Sequence, residues 1–228
     1  MDEQALVRHC PAGSVRTIVD VGCGTGRFTT SLADHFAATI YGIDPSRKML
    51  SVARESLAHP DVILVQGSAE HLPLADALAD LIFLSMVYHH IQDKPLAGCE
   101  FRRILKPDGS LCFRTVSRER LIACPWLSFF PEALAIDSER IASAEELVKE
   151  MDKAGFSLRA HDVFQQQFAR SFEEYAEKIG QRSISSLKAI SDETFECGLA
   201  ALRAYCRKQP ASPAYEDIEL FVFNPGRD

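Results

Sequence analysis

The stretch Val19-Asp20-Val21-Gly22-Cys23-Gly24-Thr25-Gly26-Arg27 decides the fold. Behind it lies a β-branched run, Thr17 to Val21, that stops at glycines. Ahead of it lies a helical pattern from Gly26 to about Phe36, in which Phe28, Leu32 and Phe36 share one face. Strand, glycine turn and helix in that order form the context that a nucleotide-binding loop requires. Glycine allows the backbone to turn sharply and to approach a ligand with no Cβ in the way. A glycine loop alone does not identify its ligand.

Two neighbouring residues narrow the choice. A dinucleotide fingerprint places a third glycine where this chain has Arg27, and Asp20 stands two residues before Gly22. A carboxylate beside the loop opposes a pyrophosphate and favours a cationic ammonium. S-adenosylmethionine carries an ammonium and a sulfonium and no phosphate, so these residues favour the methyl donor over NAD. Asp44 closes the next strand about twenty residues further on, where an acidic side chain can accept both ribose hydroxyls. Its other reading is a local cap for the helix after Pro45.

Outward from the loop, strands and helices alternate. Strands are expected at Thr39 to Ile43, Val62 to Gln66, Asp80 to Ser85, Ser110 to Val116, Phe156 to Phe164 and Ile218 to Phe223. Ser46 can cap a helix reaching about Leu57. A helix from Pro95 to Leu105 is closed by the turn Lys106-Pro107-Asp108-Gly109. Ser143-Ala144-Glu145-Glu146 is a capping-box pattern opening a helix that ends near Gly155. The alternation predicts an α/β chain built on a mostly parallel, seven-stranded sheet flanked by helices. It is read as a single domain over 1–228, with the cofactor-binding core at about 15–116. Two segments break the rhythm, at about 118–141 and 171–209, before strand six and between the last two strands. They are read as helical caps over an active-site mouth, with simple extension of the core as the alternative.

The bulk properties exclude several classes. With 228 residues, 46% hydrophobic and 25% charged, the chain has the balance of a soluble globular domain. A formal net charge of -7 argues against nucleic acid or an acidic membrane surface as partner. The start Met1-Asp2-Glu3-Gln4 lacks a secretory pattern, and the longest apolar run, Leu81 to Tyr88, falls well short of the roughly 20 residues a spanning helix needs. A cytoplasmic protein, monomeric or homodimeric, with no membrane association, is expected. The seven cysteines show no CxxC and no Cys/His ligand spacing, so no metal is expected and they read as reduced packing residues. A redox or metalloid role for a cysteine pair stays open.

Four blocks, VDVGCGTGR at 19–27, GIDPS at 42–46, QGSAEHLPL at 66–74 and FRRILKPDGSL at 101–111, occur in order across about residues 15–116. In them the chain resembles the class I S-adenosylmethionine-dependent methyltransferases, specifically the type 11 domain family, whose fold is Rossmann-like. The resemblance implies that Gly22, Gly24 and Gly26 line the methionine part of the cofactor, with Cys23 among the cofactor-binding residues and Asp20 acting nearby, directly or through water. It implies that Asp44 holds the ribose, with Ile43, Pro45 and Met49 near the adenine and Ser68 and Ala69 at its edge. Many relatives carry Asp where this chain has Ser68, and a hydroxyl can still accept that bond. The resemblance also places Ser85 and Met86 near the transferring methyl group, and Tyr88 to His90 around it.

The expected activity is methyl transfer to a small-molecule acceptor by in-line displacement, with alignment as the main catalytic device. His89 and His90 are the candidates for a general base, against packing or hydrogen bonding at a helix start. Tyr88, Trp126, Phe129 and Phe130 are candidates for an apolar acceptor wall, as are Phe172, Tyr175 and Phe195, with core packing as the alternative. Arg114, Arg118 and Arg120 can meet a carboxylate on the acceptor or stand solvated. Two other classes stay open: a regulatory protein that binds S-adenosylmethionine without transferring from it, and an NAD-linked oxidoreductase.

Overall fold

A computed structural model describes residues 3–57 and 59–226. Its strands are β1 (Thr17–Val21), β2 (Thr39–Asp44), β3 (Val62–Gln66), β4 (Ala79–Ser85), β5 (Leu105–Thr115), β6 (Phe156–Ala169) and β7 (Ala214–Pro225). They form one sheet in the order β3-β2-β1-β4-β5-β7-β6. Strands β1 to β5 pair in parallel, and β7 runs antiparallel to β5. From β1 the chain order runs outward one way through β2 and β3, and the other way from β4. The sheet therefore has its topological switch point between β1 and β4, where open α/β sheets bind ligands at the carboxyl ends of their strands. Both strands are buried almost throughout, as parallel strands covered on both faces must be.

The helices are α1 (Glu3–His9), α2 (Arg27–Phe36), α3 (Arg47–Ser56), α4 (Lys94–Ile104), α5 (Pro131–Arg140), α6 (Ala144–Lys153), α7 (Phe172–Gly180), α8 (Ser185–Ala189) and α9 (Asp192–Cys206). Local chemistry starts several of them. Ser46 accepts from the Met49 N–H to cap α3, and Asp93 accepts from Leu96 N–H to cap α4, whose first turn carries Pro95. Ser171 and Ser191 do the same for α7 and α9.

The chain divides into two compact units. One holds residues 1–115, 145–162 and 219–228; the other holds 116–144 and 163–218. The second unit thus brackets the two segments that break the strand-helix alternation. It has its own apolar core, built on Trp126, Phe130, Tyr175, Leu187, Phe195 and Leu202. A polar network lies inside it: the Tyr175 hydroxyl donates to Glu216 (2.8 Å) and accepts from the Trp126 N–H (3.3 Å), and Ser186 donates to the buried Asp137 (2.7 Å).

Three boundaries differ from the sequence expectation. The expected turn at Lys106 to Gly109 is a bulge inside β5, because Leu105 already pairs with Ala79 before Ser110 pairs with Leu81. Lys106 fixes it by reaching Asp80 at 2.7 Å. Strand β6 runs to Ala169 and β7 begins at Ala214, both longer than expected, since the extended backbone continues past the apolar runs into polar residues such as Gln165 to Gln167. Helix α1, ahead of the first strand, carried no sequence signal that singled it out.

Candidate functional site

The glycine loop follows β1 directly. Gly22, Gly24 and Gly26 all adopt left-handed backbone, with φ of +72°, +57° and +82°. The Gly22 and Cys23 N–H groups both donate to the Ile43 carbonyl at 2.7 and 3.0 Å, which pins the loop to the end of β2. A Cβ on Gly22 would come 2.5 Å from a Val87 methyl, and one on Gly26 would come 2.2 Å from Leu57. A Cβ on Gly24 would meet nothing within 4 Å. Two glycines of the loop thus answer to packing, and the middle one faces open space. No side chain caps the N-terminus of α2, whose cap position is Gly26 itself, so its orphan amides add positive potential there.

Two carboxylates flank this loop. Asp20 is 1% exposed and accepts a hydrogen bond from Thr29 Oγ1 at 2.7 Å. Burial raises its carboxyl to about 6, against the pull of the Thr29 hydroxyl and with a further push from the charge of Asp44. Asp44 is also buried. Its Oδ2 accepts from the Gly24 N–H at 2.9 Å and its Oδ1 from the Ser46 N–H at 2.8 Å. Asp44 therefore clasps the loop and opens α3 at once, and an ionised carboxylate with about four lone-pair sites keeps capacity for two more donors. Ile43 and Cys23 are buried, the latter with its thiol pushed up by burial. Pro45 and Met49 are exposed beside Asp44, Ser68 is half-buried and Ala69 is buried. Ser68 exchanges a bridge with His71 in the turn after β3.

The segment after β4 lies at the other side of the switch point. Ser85 is half-buried and Met86 holds a left-handed φ of +56°, rare for a side-chain-bearing residue. Its N–H donates to the Arg114 carbonyl at 2.8 Å. The Arg114 guanidinium donates to Ser85 Oγ at 3.2 Å and stacks over the Phe28 ring at 4.9 Å. Arg114 is buried, so it is not a solvated arginine. His89 is half-buried and His90 exposed, with ring centroids 4.1 Å apart in a single 3-10 turn.

Several expected acceptor residues stand elsewhere. Tyr88 is not an open wall: it is 4% exposed, its ring is edge-on to Phe113, and its hydroxyl donates to Glu150 of α6 at 2.5 Å. Trp126 and Phe130 are core residues of the second unit, with Phe130 stacked on Phe195 and Phe129 half-buried against Tyr205. Tyr175 and Phe195 belong to the same core. Arg118 donates to the Ile141 carbonyl and Arg120 to Asp217. Aromatic spacing here reflects packing. Sequence alone did not single out Thr29, Val87, Leu57 or Glu150. Of these only Thr29 carried a signal, since a buried Asp20 demands a donor and a hydroxyl nine positions on can supply it.

Set against known proteins, residues 19–113 match the model of a methyltransferase domain. A malonyl-[acyl-carrier protein] O-methyltransferase of Erwinia pyrifoliae is 34% identical over 127 residues, covering 54% of this chain and 47% of the relative. A demethylmenaquinone methyltransferase of Bacillus licheniformis is 32% identical over 122 residues, covering 52% of each. The chain thus spans about half the length of the curated relatives it matches. Among solved structures, an Anabaena variabilis protein assigned as a methyltransferase of an antibiotic biosynthesis pathway superposes with a TM-score of 0.73 at 21% identity, over 97% of this chain and 95% of that one. Phosphoethanolamine N-methyltransferase 2 of Haemonchus contortus, solved with S-adenosylhomocysteine, gives 0.63 at 18% identity over 99% of this chain and 52% of that one. At these identities the likeness speaks to the fold. The sheet order is that of the class I, Rossmann-like methyltransferase fold. Over residues 19–113, somewhat less than half of its length, the chain is similar to that methyltransferase domain family.

Proposed function

We propose that this protein binds S-adenosylmethionine on the β1 loop and transfers its methyl group to a small-molecule acceptor. The observation that carries the reading is the pair of buried carboxylates around a left-handed glycine loop, Asp20 beneath it and Asp44 clasping Gly24. The residues fit such a ligand. The open side of Gly24 leaves room for its backbone to meet a ligand atom. Asp20 supplies negative charge to an ammonium, which a pyrophosphate would reject. Asp44 retains acceptor capacity for a diol, and Met49 and Ala69 offer apolar surface to a base.

When bound, S-adenosylmethionine supplies an electrophilic methyl carbon with an excellent leaving group. The chain's own residues then have to align the acceptor, and alignment of this kind can contribute roughly 7–11 kcal/mol. Asp44 and the loop amides fix one end of the ligand, and Ser85 and Met86 border the other. His89 or His90 enters as a base only where the acceptor must lose a proton. The small-molecule acceptor is favoured by the name of the demethylmenaquinone methyltransferase relative and by the acidic balance of the chain. Among the described residues no helix is long and apolar enough to cross a membrane. Methyl-labelled donor offered with a panel of small organic acids, amines and phenols tests the transfer. Label in an acceptor, lost in Asp44→Ala, supports it; cofactor binding with no acceptor labelled would return the protein to the regulatory reading.

A further inference from the structure

Away from the glycine loop, two thiols face each other inside the first unit. Cys10, directly after α1, and Cys112, in the middle of β5, lie 102 positions apart in sequence with their sulfurs 3.9 Å apart. They are 4% and 0% exposed. Two cysteines with no covalent bond between them are usually scattered packing residues, but these share one contact and one polar neighbourhood. Ser110 hydrogen-bonds Cys10, and the charge of Arg159 acts on both thiols. Arg159 is held in place by donating to the His9 carbonyl, and His9 itself reaches Asp162 at 2.8 Å.

We propose that Cys10 and Cys112 are a peroxide-oxidisable dithiol that closes into a disulfide tying α1 to the centre of the sheet. Cys10 is the attacking sulfur. The hydrogen bonds from Cys112 and Ser110 and the Arg159 charge lower its pKa against the effect of burial, whereas burial pushes Cys112 up. The Cys10 thiolate attacks one oxygen of hydrogen peroxide, the O–O bond breaks, and the departing hydroxide takes a proton to leave as water. The resulting sulfenic acid is attacked at sulfur by Cys112, which gives up its proton as the S–O bond breaks and a second water leaves. Two thiols are oxidised and one peroxide is reduced to two waters. The sulfurs must close from 3.9 Å to about 2.05 Å. Cys10 can make that movement, since it follows α1, a helix of only 7 residues, and short elements with few backbone bonds are the cheapest to open locally. The same opening admits the oxidant.

The bond would enclose the whole glycine loop, Asp44 and the segment after β4 within one covalent loop. Its sulfurs lie on no residue of the proposed methyl-transfer site, so the inference stands whether or not that proposal holds. The test uses the full chain carrying Cys99→Ser and Cys197→Ser, which removes the two exposed thiols. The protein is treated with hydrogen peroxide in slight excess, unfolded, alkylated and examined by intact mass and peptide mapping. The expected result is a species carrying two fewer alkyl groups than the untreated control, a Cys10–Cys112 linked peptide, and full reversal by dithiothreitol. The melting temperature of the oxidised form should rise by about 5–10 °C, and Cys10→Ser should abolish both changes. Both thiols still alkylatable after treatment, or a Cys10 carried on to sulfinic acid with no linked peptide, would overturn the proposal. Because the linked peptide is sought in protein that retains both residues, the outcome does not depend on the Cys10→Ser variant folding.

Discussion

Replacing Asp20 by Asn should make the ligand-free protein more stable while weakening its grip on the methyl donor. The buried carboxyl is raised from 3.8 to about 6, chiefly by burial. A carboxyl raised on folding contributes fully below its unfolded value, and that contribution is lost as pH climbs through the folded one. Above pH 7 the ionised Asp20 therefore costs the fold roughly 3 kcal/mol, at about 1.4 kcal/mol per pH unit. Asn removes that charge and its Oδ1 can still accept from Thr29, but its amide leaves a buried donor, worth about 1–2 kcal/mol against it. The net gain at pH 8 is about 1–2 kcal/mol, or about 3–6 °C in melting temperature for a chain of this size. The gain should shrink between pH 6 and pH 4, where Asp20 becomes neutral in the folded protein. Thermal denaturation of both proteins from pH 4 to pH 8 measures this, with S-adenosylhomocysteine titrations in parallel. The Asp20→Asn protein should bind that ligand more weakly at pH 8, and wild-type affinity should fall as pH drops below about 6. A variant less stable than wild type at pH 8 with unchanged affinity would refute both halves of the reasoning.

Other perturbations separate packing from binding within the same loop. Gly26→Ala places a Cβ 2.2 Å from Leu57 at a φ of +82°, so urea denaturation should show a loss of about 2–4 kcal/mol. Gly24→Ala, at φ +57° with open space beside it, should cost only about 1–2 kcal/mol. It should nevertheless weaken S-adenosylhomocysteine binding more than Gly26→Ala does when both are measured well below their melting temperatures. Tyr88→Phe removes the hydroxyl that donates to Glu150 and should lower stability by about 1–2 kcal/mol in the same denaturation assay; an unchanged midpoint would show that this bond contributes nothing.

The parts of this molecule that local chemistry determines are legible in its sequence. The β-branched run before Gly22, the cap at Ser46 and the apolar stripe of α2 each depend on residues within a few positions, and the observed elements follow them. The switch point shows only in the order of the strands across the sheet. What the sequence hides depends on distant partners. Lys106 to Gly109 has every local mark of a turn, yet the pairing of Leu105 with Ala79 and the ion pair of Lys106 with Asp80 draw it into β5 as a bulge. Tyr88 reads as a site residue until Glu150, 62 positions on, takes its hydroxyl. Trp126 and Phe130 read equally as wall or core, because burial inside the second unit depends on residues from α7 to α9. Within the candidate site the glycine turn after β1 is legible in the sequence, but the clasp from Asp44 to the Gly24 amide is not, since it needs the loop's three-dimensional turn.

The central claim is that the β1 loop with Asp20 and Asp44 receives S-adenosylmethionine. A calorimetric titration of the wild-type protein and of Asp44→Ala with S-adenosylmethionine, S-adenosylhomocysteine and NAD tests it most directly. One saturable site is predicted for each sulfur ligand, sharply weakened in Asp44→Ala, with no binding of NAD. Saturable NAD binding with no response to either sulfur ligand, or equal affinity of Asp44→Ala and wild type for S-adenosylhomocysteine, would contradict it.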